Sequence, residues 1–232
     1  MPMTAQRTGS GVVATTPPRT ITPRRAPLTV PLLLLRPLVR AISWAPLAVV
    51  TLFTAALVTL ADYGQPLTAG MGLVLLRVSG TLLASAAAFA LVDAMSGGAQ
   101  PVSHRLRQAE RCLLAGGAAV AVWLGAFAYV LSRLPDGALF PVGDMLIEVG
   151  VCLGIGLAAA ATAVRYAPGR QAAMAAVVVQ LALVLATILL PPEVRLWPPT
   201  CGFGHWDEAH RFWLFALPVP YLWLMVSGRD LR

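Results

Sequence analysis

Residues 69–92 read "AGMGLVLLRVSGTLLASAAAFALV", 24 positions carrying a single charged side chain, Arg77. About 20 mainly apolar residues in a helix span the roughly 30 Å hydrocarbon core of a bilayer, so this stretch is long enough to cross one. Comparable apolar runs lie on either side of it, at roughly 45–61, 112–132, 144–164, 171–190 and 212–228. Between them fall short polar connections, most marked by Pro, Gly or charge, as expected where a chain leaves the membrane. The expected fold is therefore all-α: a polytopic membrane protein with six transmembrane helices in one domain, residues 27–232.

Composition supports that class. The chain is 58% hydrophobic and only 12% charged, against roughly 45–50% and about 25% for a soluble domain. Its net charge of +7 would suggest nucleic acid in a soluble protein. In a membrane protein the same excess follows from basic residues retained on the inner side, so no nucleic-acid partner is expected. All 17 basic residues are Arg, and the chain has neither Lys nor Asn. Both missing residues have A-rich codons, which points to a G+C-rich bacterial genome. Without Lys there is no P-loop lysine, Schiff base or Ser-x-x-Lys dyad, so energy from ATP would have to come from another polypeptide. Cys112, Cys152 and Cys201 are far apart and show no C-x-x-C spacing, indicating neither a zinc site nor a disulfide framework.

Arginine placement sets the orientation. With the N-terminus inside, six Arg precede residue 43, Arg105, Arg107 and Arg111 lie in the 93–111 connection, Arg165 and Arg170 flank the next inner turn, and Arg229 and Arg232 close the chain. The outer connections hold only Arg133, Arg195 and Arg211. This asymmetry predicts both termini in the cytoplasm of a bacterial cell, with the domain in its cytoplasmic membrane. Residues 1–26, rich in Thr, Pro, Gly and Arg, read as a disordered cytoplasmic tail, not as a secretory signal. Residues 27–43, "PLTVPLLLLRPLVRAIS", are too interrupted to cross. Arg36 and Arg40 share one face there, so a short N-terminal helix along the inner membrane interface is expected.

The longest inner connection, "DAMSGGAQPVSHRLRQAE" (93–110), has two readings from spacing alone: a solvated loop, or a docking surface for a cytoplasmic partner. Its second half suits a short helix capped by Ser103 ahead of His104, Arg105, Arg107 and Arg111.

Arg77 is the costliest residue in the sequence, since an arginine at a helix centre costs about 2.5–3.5 kcal/mol on insertion scales. It lies eight residues into its span, about 12 Å deep, and Glu148 lies about 6–9 Å deep in a span that also runs inward. The two can form an intramembrane ion pair in the outer half of the bundle; otherwise Glu148 reaches the outer interface beside Asp144. A structural pair is favoured over a proton relay, because no further acidic or His residue lines a path at that depth. Gln180, the other strongly polar side chain deep in an apolar run, suits a tie between helices.

In "GVCLGIGLAA" (150–159), Gly154, Gly156 and Ala159 have the spacing of a dinucleotide fingerprint, but no strand precedes them and the motif is discarded. Gly150, Gly154 and Ala158 instead form a small-residue face for helix packing. The last outer connection carries His205, Asp207, Glu208 and His210. The histidines are five residues apart and no third ligand is evident, so no metal site is expected. Trp197, Trp206 and Trp213 read as anchors at the outer headgroup level, with the charges capping the last span. No catalytic constellation stands out, so neither enzymatic activity nor a cofactor is expected.

Two segments, "LLRVSGTLLASAAAFALVDAMSGGAQPVSHRLRQAERCLL" (75–114) and "HWDEAHRFWLFALPVPYLWL" (205–224), resemble the permease subunits of bacterial ATP-binding-cassette transporters, in particular small six-span proteins of high-G+C bacteria encoded beside ATPase genes. Arg77, Asp93, Pro101, Arg105, Arg107, Trp206, Ala209, His210 and Trp213 match that pattern. At "DAMSGG" the second Asp and the Pro of the family's acidic turn are absent. The resemblance covers about a quarter of the chain in motif form. It implies a permease, an exporter in direction, that pairs with a second copy or sister permease and couples to a separate cytoplasmic ATP-binding subunit. The coupling loop would comprise Asp93, Pro101, His104, Arg105, Arg107 and Arg111. A membrane scaffold or assembly factor without a transport path is the alternative reading; a membrane-embedded enzyme lacks a catalytic set.

Overall fold

The computed structural model describes residues 42–61, 63, 67–91, 104–134, 140–166, 170–191, 196–198 and 205–227, with the side chains of 104–107 and 170 excepted. Among these residues the chain is helical throughout, with no strand. The helices are α1 (Ala45–Ala61), α2 (Ala69–Ala88), α3 (His104–Arg133), α4 (Val142–Ala163), α5 (Arg170–Leu189), α6 (Trp206–Ala216) and α7 (Pro218–Ser227), with one 3₁₀ turn, Phe89–Leu91, closing α2.

Local chemistry explains several boundaries. Thr68 starts α2 by accepting the Met71 amide at 3.3 Å, satisfying a donor that has no partner within the helix. Asp144 places a negative charge in the first turn of α4, against the positive end of the helix dipole. Hydroxyls inside the apolar helices turn back on their own backbone: Ser79 donates to the Leu75 carbonyl, and Thr162 to that of Ala158 at 2.8 Å.

Two helices differ from the hydropathy reading. Hydropathy places the third apolar run at 112–132, with a separate short helix before it. The structure instead has one continuous helix of 30 residues beginning at His104. Arg, Leu, Gln, Ala and Glu are all strong helix formers, so the backbone helix continues after the apolar stripe has ended. Conversely, the run at 212–228 belongs to two helices, broken at Leu217. Pro218 and Pro220 have no amide hydrogen to give the carbonyls of Leu214 and Ala216, and Pro218 restarts the helix at its first position.

Among the described residues, four helical segments are long and apolar enough to cross a membrane: Ala69–Leu91, Gln108–Arg133, Val142–Ala163 and Gln171–Leu189. Ala45–Ala61 is shorter but also apolar. Residues 1–26, most of the 27–43 segment, Asp93, Pro101 and Ser103 lie outside the described residues.

The centre of the bundle is α4, which packs on α5, α2, α7 and α6, while α2 also meets α1, α3 and α5. Of the apolar stretch of α4, 72% is buried, against 28% for α5, whose Leu181, Leu185 and Ile188 face outward. Small residues let the backbones approach. A Cβ on Gly156 would stand 3.1 Å from the Ala84 carbonyl of α2, and one on Gly80 would stand 2.8 Å from Val149. Trp123 of α3 is fully buried, and its indole donates to the Leu76 carbonyl at 3.0 Å, tying α3 to α2. On α1 a narrow stripe of Leu47, Thr54 and Val58 is buried.

Candidate functional site: a buried arginine, glutamate and histidine cluster

Arg77 lies on the face of α2 that meets α4, and is 8% exposed. Its guanidinium grips Glu148 with both prongs, Nε donating to Oε2 at 2.9 Å and Nη2 to Oε1 at 2.8 Å. This fork geometry makes a carboxylate pair strong as well as directional. Nη1 donates to the Pro198 carbonyl at 2.7 Å. The guanidinium carbon lies 5.9 Å from the ring centroids of both Trp197 and Trp206, within range of cation–π attraction. The insertion penalty of this arginine is thus met by a counter-charge, a carbonyl and two aromatic rings.

Glu148 is only 2% exposed, buried within the bundle. One turn earlier on α4, Asp144 accepts the Trp206 indole N–H at 2.9 Å. These residues, four apart, share one face of α4, and α6 lies across it. On α6 the buried residues are Trp206, Ala209, His210 and Trp213, a single helical face at i, i+3, i+4 and i+7. His210 stacks on Trp206 with ring centroids 4.3 Å apart. Its Nδ1 is 2.9 Å from the Trp206 carbonyl, and its Nε2 is 3.1 Å from Glu148 Oε1. Trp213 donates to the Leu196 carbonyl at 2.8 Å and stacks with Trp197. The cluster therefore joins α2, α4, α6 and the segment 196–198.

His210 corrects the sequence reading twice: the depth argument leaves no histidine beside the Arg77–Glu148 pair, and the charges of 205–210 read as a cap on the last span, yet His210 is 5% exposed and touches Glu148. The tryptophans taken as headgroup anchors are also inward: Trp206 and Trp213 are 5% and 2% exposed. The signal was present in "WDEAHRFW", where Trp206, Ala209, His210 and Trp213 fall on one face, but starting the span at residue 212 cut that face in two. His205 sits apart. It is exposed, and its Nδ1 is 3.2 Å from Glu208 on the outer side of α6.

The other sequence-derived residues fall elsewhere. Gly150 and Gly154 pack α4 on α7 within the chain: a Cβ on Gly154 would meet the Pro220 ring at 3.0 Å, and one on Gly150 would meet Leu217 at 3.2 Å. Tyr221 adds a hydrogen bond to the Gly150 carbonyl at 3.0 Å. Ala158 is fully buried. Gln180 is 1% exposed, facing Gly156 of α4. His104, Arg105 and Arg107 occupy the first turn of α3, and Arg111 is buried one turn later.

Comparison with family models, with curated proteins and with solved structures gives no match.

Proposed function

We propose that this chain is the membrane-spanning permease subunit of an ATP-binding-cassette transporter, an exporter driven by a separately encoded ATPase. Four helices that can cross a membrane supply the core of such a domain. In this reading α1 and the α6–α7 pair complete six spans. Seventeen residues give α1 about 25 Å, close to the minimum, and Trp206 to Ser227 extend about 33 Å. The exposed apolar side chains of α5 and α7 face lipid.

The observation that carries the proposal is the overhang of α3. Its 30 residues measure about 45 Å, some 15 Å more than the hydrocarbon core. Its apolar portion begins only at Gln108. The preceding turn, with Arg105 and Arg107, is a basic handle continuous with a membrane helix. An ATPase that grips it can tilt the span as a rigid rod. ATP binding to the partner would then bias the membrane domain, paired with a second copy or a sister permease, between inward- and outward-open states.

Mass spectrometry of the affinity-purified complex is the test. A Walker-motif ATPase should co-purify, and Arg105→Glu with Arg107→Glu should release it while membrane insertion persists. A complex indifferent to both charge reversals removes the handle from the account. Recovery with membrane partners but no ATPase favours a scaffold.

A further inference from the structure

We infer that His210 and Glu148 form a buried proton-binding site: one proton beyond that of a neutral imidazole sits between Nε2 and Oε1, and its presence fastens α6 to α4. A neutral imidazole has a single N–H. Nδ1 faces the Trp206 carbonyl at 2.9 Å, and a carbonyl can only accept, so that hydrogen is committed there. Nε2 would then turn a lone pair toward Glu148 Oε1 at 3.1 Å, within ion-pair distance, and it has no hydrogen-bond partner among the described residues. Arg77 donates to both oxygens of the carboxylate. A bare imidazole lone pair facing one of those oxygens is repelled, and a proton between the two makes the contact attractive.

The surrounding charges agree. Facing His210 are Glu148 and Asp144 from α4, with Arg77 of α2 behind Glu148. Two carboxylates and one guanidinium leave a single negative charge in a site poorly served by water, and the imidazolium cancels it. His205, Asp207, Glu208 and Arg211 lie on the exposed side of α6. The fastening is present while the imidazole carries its second proton and is lost as pH rises and that proton leaves.

The experiment is nitrogen NMR of the full chain in detergent, labelled at its three histidines and purified without a histidine tag. One imidazole should keep both nitrogens protonated at a pH where the other two have become neutral, and that signal should vanish in His210→Gln. If His210 loses its proton together with the others, or is neutral throughout, the site does not exist. Thermal unfolding across the same pH range tests the fastening separately. Gln can donate to Glu148 at every pH, so the wild-type midpoint should fall relative to His210→Gln as pH rises. Parallel profiles for the two proteins would refute it.

Discussion

Both oxygens of Glu148 are engaged by Arg77 in a site almost closed to solvent. Removing one member strands the other's charge, and breaking a buried pair in this way costs about 3–5 kcal/mol. Glu148→Gln should therefore lower thermal stability in detergent sharply. Adding Arg77→Gln should restore part of the loss, with a coupling of about 0.5–3 kcal/mol between the two sites. Strict additivity in that four-protein cycle would show that the contact carries no energy of its own. Arg77 and Glu148 could be brought together from sequence because depth along a helix is simple arithmetic and both are conspicuous in apolar runs. The Pro198 carbonyl and the Trp197 ring could not, since a connection that folds back over the bundle leaves no periodic trace. His210 was obscured differently: three charged neighbours in "DEAHR" make the segment read as a solvated loop, although its apolar face is continuous.

At the level of helices, glycine positions separate close packing from open surface. Gly154 presses on the Pro220 ring and Tyr221, at 3.0 and 3.1 Å from where a Cβ would stand, whereas a Cβ on Gly117 of α3 would meet nothing within 4 Å. Gly154→Ala should thus destabilise the protein by about 1–3 kcal/mol through overpacking of α4 against α7. Gly117→Ala should stabilise it by up to about 1 kcal/mol, since only helix propensity changes. Detergent unfolding curves for the two variants check the contrast, and equal effects would contradict the packing described. Hydropathy located the centres of the apolar helices because lipid compatibility is a property of composition. It misjudged two ends for the same reason. Composition is silent on a backbone helix that continues into polar sequence, as α3 does to His104, and on proline breaks within a run that stays apolar, as at Leu217.

For the whole molecule, the proposed six-span arrangement makes a geometric demand that reporter fusions can read. Fusions within 93–103 and at 167–169 should report the cytoplasm, and fusions at 64–66 and 135–139 the opposite side. Placement of 93–103 on the far side would reverse the molecule and overturn the proposed ATPase-facing role of α3. The overall helical bundle was legible because each long apolar run must satisfy its backbone internally. Which helix occupies the middle was not, because α3 and α4 are equally apolar and only burial tells them apart. The bundle is tied near both ends of the broken helix pair: α6 through the Arg77 cluster, and α7 where the Arg165 guanidinium donates to the Ser227 carbonyl at its last turn. Because Pro218 and Pro220 withhold their hydrogens from Leu214 and Ala216, the two ties do not share one unbroken ladder. The amides of α6 should accordingly take up deuterium independently of those in α7, so that α6 can melt while α7 keeps its protection.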